Sequence, residues 1–431
     1  PTPDLRLKPE ISAHGGEITS AVPNGWDENS GTSMAAPNMA GAMSLILDYI
    51  KKNESVFNPT TTKADKYNDR VSVANRLVMS TATIANDESD VPYSPRKQGA
   101  GLADIKKAMT TKAYLYVKGI DKSKIEIGDD PKKTGVYELV FNIKNFSSET
   151  RKYILSTETM TETIATDGLT VAERAYMLDA LSDITFSGKG VNGTELTLEG
   201  NADVEITVRQ VKITLNDKAK KYIDDSFKNG MYVEGFVLLK DTTGDASSVD
   251  LNIPWLGFYG DWYAAPMMDI SEYDLAAALQ DDSIPDENKP KAAMYATVPL
   301  GAYMNKKYII PLGTYLYELS DDQKKIYSSS DKASLSIYDE KGHYTVNELY
   351  AIYAGLLRGA ENMSVSITDA VTGEEVFSKN IKNASDMLAG LSSASNQVSS
   401  AQDNAAKSTQ TASNIISVVY RTRLVAYIAG A

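Results

Sequence analysis

One stretch constrains this chain more than any other: Ser30-Gly31-Thr32-Ser33-Met34-Ala35-Ala36-Pro37, which runs straight into Met39-Ala40-Gly41-Ala42-Met43-Ser44-Leu45-Ile46-Leu47. It reads as a serine presented on the first turn of a buried helix. Gly31 has no Cβ and lets the chain turn sharply, and the Thr32 hydroxyl is placed to cap the first free N–H groups of a helix. Ser33 then lies where those N–H groups meet the positive end of the helix dipole. An alkoxide or tetrahedral oxyanion forming there is stabilised, with the Ser33 N–H as one donor. Ala35, Ala36, Ala40, Gly41 and Ala42 keep the helix thin enough for close packing in an interior. Pro37 cannot donate to the carbonyl four residues back, so the Ser33 carbonyl is left free and the turn behind it is distorted. The bland alternative is an apolar helix with an ordinary Ser/Thr cap; a distortion at that point suits a site better.

The bulk properties exclude several classes. A chain of 431 residues is too long for one ordinary core and should hold about two to four domains. With 42% hydrophobic and 23% charged residues the composition is globular rather than disordered. The net charge of −13, with no cluster of Lys or Arg, argues against a nucleic-acid partner. Disulfides and thiolate metal sites are excluded by the absence of cysteine. Pro1-Thr2-Pro3-Asp4 has neither the basic start nor the apolar run of a signal peptide. The apolar piece Ile415 to Ala431 carries Arg421 and Arg423 and is too short to span a bilayer.

Residues 1–112 read as α/β. Leu7 to Gly16 looks like a short strand and turn, Asn53 to Asp69 is a polar connection, and Val73, Ala74, Leu77 and Val78 share one apolar face of a helix from Val71 to about Ser80. A last helix is expected from Asp104 to Met109, with Gly99 and Gly101 allowing close backbone packing beside it. From Ala113 the pattern changes to short alternating runs: Tyr114 to Val117, Val136 to Ile143, Lys152 to Ser156, Val204 to Leu215 and Tyr232 to Leu239. Period-two runs bounded by Gly, Asn or Asp are the signature of an antiparallel sandwich. Helical interruptions are expected at about Thr161 to Leu181 and at Lys218 to Phe227. Trp255, Phe258, Tyr259 and Trp262 read as a domain corner in preference to a carbohydrate platform. A further unit covers residues 266–383, and the Ser/Ala/Asn-rich residues 384–431 receive no assignment. Asp241 to Asp250 lacks the fixed alternation of an EF-hand and reads as a solvated loop, although it leaves a structural calcium open.

Several of these pieces resemble one family. Ser30 to Pro37 is similar to the G-T-S-M-A-x-P nucleophile motif of the subtilisin-like serine proteases, with Asn38-Met39-Ala40-Gly41 where the family usually has His-Val-Ala-Gly. Leu7 to Gly16 resembles the K-P-x-I-x-A-P-G segment that precedes the nucleophile, and His14 stands where that pattern has proline. Tyr93 to Asp104 resembles the close of the catalytic domain in the large cell-envelope subtilases, the lactocepin and streptococcal C5a peptidase group. Tyr232 to Val237 with Ile253 to Trp262 resembles elements of the fibronectin-III-like domain that follows it there. Leu356 to Asp369 resembles the start of a second such domain.

The resemblance implies the C-terminal part of a subtilisin-like α/β domain (1–112), a fibronectin-III-like sandwich (113–265) and a second fibronectin-like unit (266–383). It implies a secreted or cell-wall-associated bacterial endopeptidase acting on a protein or peptide through an acyl-enzyme on Ser33, with Gly31, Thr32 and Pro37 in support and no cofactor required. Such a site needs Asp, His and Ser in that order. His14 is the only histidine before Ser33, and the family position argues against its being the base. The expectation is therefore that the triad Asp and His lie outside this chain, in an N-terminal segment of the same protease, and that the 431 residues alone are inactive. Two other readings stay open. One is an α/β-hydrolase with Gly31-x-Ser33 as nucleophile elbow and His343 as base; the other is a non-catalytic cell-surface adhesion or scaffold module carrying a subtilase remnant.

Overall fold

The computed structural model describes residues 1–2, 4–57, 63–166, 170–200, 208–264 and 270–285, and beyond them 298–303, 308–311, 314–319, 323–328, 348–353, 362–369, 372–382 and 420–427. The chain divides into two compact units, Pro1–Ala264 and Ala265–Ala431.

The first unit begins with an extended strap, Leu5 to Gly15, and an antiparallel hairpin of β1 (Ile18–Val22) and β2 (Gly25–Asn29). Pro23 fixes one turn residue, and Asn24 takes the positive φ of 71° that the next position of a tight turn requires. Five helices follow: α1 (Thr32–Lys52), α2 (Glu54–Phe57), α3 (Lys63–Ser80), α4 (Pro95–Gln98) and α5 (Ile105–Thr110). The helix expected from Val71 thus starts earlier, inside the stretch expected to be a polar connection. Asp104 caps α5 by accepting from the Lys107 amide at 2.9 Å. α1, α3 and α5 share a core built on Ile46, Ile50, Leu77, Val78 and Ala108.

The alternating runs form a two-sheet β-sandwich. One sheet runs β3 (Ala113–Tyr116), β5 (Val136–Asn145), β11 (Val208–Leu215), β8 (Ser182–Gly188). The other runs β4 (Ile125–Asp130), β13 (Leu251–Tyr259), β12 (Met231–Asp241), β6 (Arg151–Thr161), β10 (Glu195–Leu198), β9 (Val191–Asn192), with β7 (Tyr176–Met177) on β6. Leu139, Phe141, Ile213, Val233, Val237 and Ile253 fill the space between them. Among the described residues the helix expected at Thr161 to Leu181 is replaced by other structure: Thr161 ends β6, Ile164 bridges Val171, and Asp179–Leu181 forms a single 3-10 turn. Antiparallel pairing of β7 with the end of β6 outweighs the local helical pattern. The second interruption is helix α6 (Asp217–Ser226), capped by Asn216.

The sandwich and the helices share β3. Ala113 and Leu115 face the sandwich core, whereas Tyr114 and Tyr116 pack into the helical core. Ser80 at the end of α3 accepts from the Leu115 amide at 2.9 Å, and Asn252 of β13 donates to the Ala82 carbonyl at 2.8 Å. Trp255 and Tyr259 belong to the sandwich core, and Phe258 and Trp262 pack on Leu5 and Leu7. All four aromatics are buried, as a domain corner requires.

The second unit contains α7 (Glu272–Gln280) and small antiparallel sheets. β14 (Val298–Tyr303) pairs with β15 (Tyr308–Pro311) and β18 (Glu348–Tyr353), and β16 (Thr314–Leu319) pairs with β17 (Gln323–Ser328). β19 (Asn362–Asp369) lies between β20 (Glu375–Lys382) and β21 (Tyr420–Tyr427). The unassigned region 384–431 therefore contributes at least this last strand, and His343 lies outside the described residues. Among the described residues no helix is long and apolar enough to cross a membrane.

Candidate functional site

Ser33 is the second residue of α1 and is exposed. Gly31 occupies the N-cap with φ 153°, a conformation that side chains rarely adopt, and no side-chain cap bond is made there. Thr32 is already helical, so its hydroxyl does not take the capping role expected of it. The Gly31 carbonyl serves the first turn instead, accepting from the Met34 amide at 3.0 Å and the Ala35 amide at 3.2 Å. Of the first four N–H groups, which lack intrahelical partners, those of Thr32 and Ser33 have no acceptor among the described residues. The serine hydroxyl and its own amide thus share one open, electropositive helix end. Pro37 lies inside α1 and has no N–H to offer the Ser33 carbonyl.

The loop in front of the serine is held by the strap. The Gly31 amide donates to the Gly15 carbonyl at 2.8 Å, and Asn38 Nδ2 donates to the His14 carbonyl at 2.8 Å. A Cβ on Gly15 would lie 2.7 Å from the Gly31 carbonyl oxygen and 2.9 Å from Ala35 Cβ, so this position takes glycine for lack of space. The Glu17 amide donates to Ser30 Oγ at 2.8 Å, closing the base of the exposed β1–β2 hairpin. His14 enters the arrangement through its carbonyl, and its side chain is exposed. Among the described residues, no imidazole or carboxylate is hydrogen-bonded to the Ser33 hydroxyl. The hairpin and the Asn38 contact escaped the sequence reading; Pro23-Asn24-Gly25 was the signal for the first, and a side-chain-to-carbonyl bond leaves none for the second.

The helix behind the serine is not the buried one expected. Ile46 and Ile50 are its only fully buried residues, on the side facing α3 and α5. Ala36, Ala40, Gly41 and Ser44 are exposed, and Leu45 is 60% exposed. Among the described residues, α1 packs its core side on α3 and α5, and the strap covers it at Ala35 and Asn38.

Behind this site, Arg96 of α4 ties the helical part to the sandwich. Its Nε donates to Glu234 Oε2 at 2.9 Å and its Nη2 to Glu234 Oε1 at 2.8 Å; Glu162 is a second partner. Ser94 Oγ donates to the same Glu234 at 2.7 Å, and the guanidinium stands 3.8 Å over the Tyr232 ring. Burial works against the Arg96 charge, but the two glutamates outweigh it and raise its pKa above the ordinary value.

The Asp-rich loop does not fit a calcium ion. The guanidinium of Arg151, itself 1% exposed, donates to Asp245 Oδ1 at 3.0 Å and lies 3.9 Å from Asp241 Oδ2. The Asp241 carboxylate also accepts from the amides of Thr243 and Val249. An arginine already supplies the positive charge, and it lowers the Asp245 pKa to about 2. Among the described residues no cluster could hold a metal ion.

Comparison with known proteins places both halves of this unit. Residues 1–101 match the subtilase family, and residues 125–256 match an Fn3-like domain. Residues 1–101 are part of a subtilase domain. Downstream of it lies the Fn3-like domain, whose matched residues run from the start of β4 into β13. Similar relatives include the C5a peptidase of Streptococcus pyogenes serotype M18, 30% identical over 63% of this chain and 21% of that protein. The PII-type proteinase of Lactococcus lactis subsp. cremoris is 26% identical over 88% of this chain and 18% of that protein. The chain spans about a fifth of the length of these curated relatives. It is related to subtilase serine endopeptidases, and its nucleophile-like loop falls within the matched subtilase portion.

Proposed function

We propose that the chain is the nucleophile-bearing part of a secreted or cell-wall-associated subtilisin-like serine endopeptidase that cleaves proteins or peptides. Ser33 Oγ bonds to the scissile carbonyl carbon while its proton passes to a histidine, and the oxyanion is stabilised by the Ser33 N–H at the end of α1. The proton then goes to the leaving amine, and water releases the acyl group from Ser33. The base and its orienting carboxylate come from a segment of the same protease outside these residues. Of the two histidines present, His14 is used through its backbone, and His343 lies outside the described residues. By itself the chain has negligible peptidase activity. The observation that carries this reading is a serine whose hydroxyl and amide share an open helix end, on a helix bare along one face.

The test joins the 431 residues to an Asp- and His-bearing subtilase segment and follows peptide cleavage. Cleavage should appear only in the joined protein and fall to background with Ser33→Ala. Cleavage that survives Ser33→Ala would reject the assignment.

A further inference from the structure

We infer that the Fn3-like domain positions the nucleophile loop through the strap Leu5 to Gly15, with Lys124 as the positioning residue at the sandwich end. The functional weight of this rests on the reading of Ser33 as nucleophile, but the coupling itself is a property of the chain as it stands.

The strap is anchored first in the sandwich. Leu5 and Leu7 are buried against Leu256 and Phe258 of β13 and Trp262 just after it. The Leu7 amide donates to Glu126 Oε1 at 2.7 Å, and Lys124 Nζ donates to the Leu7 carbonyl at 3.0 Å. Lys124 is 5% exposed and pairs with Glu126 at 2.8 Å and with Glu10, a strap residue, at 3.6 Å. The lysine ammonium is held by two carboxylates and a carbonyl, and among the described residues it is the one group that touches both Glu126 of β4 and the strap at Leu7 and Glu10.

The strap next runs along the turn after α4. The Ala100 amide donates to the Glu10 carbonyl at 2.9 Å, the Ser12 amide to the Gly101 carbonyl at 2.9 Å, and the Ala103 amide to the Ser12 carbonyl at 2.9 Å. A Cβ on Gly99 would stand 2.2 Å from the Glu10 carbonyl carbon, so strap and turn are in backbone contact. That turn is fastened to the sandwich a second time, through Ser94 and Arg96 on Glu234. The strap finally ends on the nucleophile loop, where Gly15 receives the Gly31 amide and lies against Ala35.

The same backbone therefore connects β4 of the sandwich to the residue that caps the Ser33 helix. It does so by short steps between buried or backbone groups. A shift at Lys124 displaces Leu7 and Glu10, and the rigid contacts at Gly99 and Gly15 carry that displacement to Gly31. The sandwich acts as the fixed frame against which the serine is aimed, in addition to its role as a separate domain.

Hydrogen–deuterium exchange on the 431-residue chain tests this without any need for activity. Lys124→Met should speed exchange of the Gly31 and Ala35 amides by about tenfold, the effect of losing roughly one hydrogen bond's worth of local protection. Amides of Leu77 and Val78 in α3 should keep their protection. Lys124→Arg, which keeps the charge and the donor, should restore the Gly31 rate. Ile213→Val in the sandwich core is the control for general loss of stability. Unchanged exchange at Gly31 in Lys124→Met would overturn the coupling. So would a rise at Gly31 matched by an equal rise in α3 or reproduced by Ile213→Val.

Discussion

The Gly15 carbonyl accepts the Gly31 amide at 2.8 Å, and this bond joins the strap to the residue that begins the Ser33 helix. Gly15 has no room for a side chain, because a Cβ would stand 2.7 Å from the Gly31 oxygen. Gly15→Ala should therefore push the two segments apart and lower stability by about 1–3 kcal/mol, as overpacking against backbone does. The loss would be read as a lower urea midpoint with an unchanged slope. Gly16→Ala, where no atom lies within 4 Å, should leave the midpoint in place.

Arg96 and Glu234 form the buried tie between α4 and β12. Removing Glu234 leaves the desolvated Arg96 with Glu162 as its remaining carboxylate, so Glu234→Ala should cost about 3 kcal/mol in urea unfolding, the low end for a broken buried ion pair. Glu234 is 1% exposed and has both oxygens bonded, to Ser94 and Arg96, which is why its loss should exceed that of Glu173 on the surface.

Alkaline pH should unfold the first unit through its tyrosines. Burial raises the Tyr114 pKa to about 12 and carries Tyr137 and Tyr153 above the ordinary range. The folded state then binds protons that the unfolded state has released. Stability is full below about pH 10, the ordinary tyrosine value, and is lost as pH rises through the folded values. Circular dichroism should follow this loss from about pH 10 upward, and phenolate absorbance should lag behind that of a denatured sample. Tyr114→Phe should reduce the loss over the range between about 10 and 12.

How much of this was legible depended on how local each signal is. Ser30 to Pro37 is contiguous, so the turn, the serine and the helix behind it can all be read from one stretch. Asn216 before α6 and Asp104 before α5 are likewise local caps. β13 is illegible for a physical reason: all nine residues from Leu251 to Tyr259 are buried, so no alternation marks it. Pro254 in its middle also argues against a central strand, yet β13 pairs with both β12 and β4. Thr161 to Leu181 has helical character in the sequence, but the chain folds back on β6, with Thr161 opposite Tyr176 and Ile164 bridging Val171. Leu7 to Gly16 reads as a strand and turn, but where it docks does not show in the sequence, since Leu5 and Leu7 find their partners at Leu256, Phe258 and Trp262. The burial expected of α1 is not met because helix composition records what a helix is suited to contact, and among the described residues Ile46 and Ile50 alone are fully buried on it.

Covalent labelling of Ser33 tests the central claim most directly. The 431-residue chain, alone and joined to an Asp- and His-bearing subtilase segment, is treated with a fluorophosphonate and its intact mass measured. The isolated chain should remain unmodified, and the joined protein should gain a single adduct that maps to Ser33 and disappears in Ser33→Ala. An adduct on Ser33 in the isolated chain, or none in the folded joined protein, would contradict the assignment of Ser33 as a nucleophile that depends on a base from outside this chain.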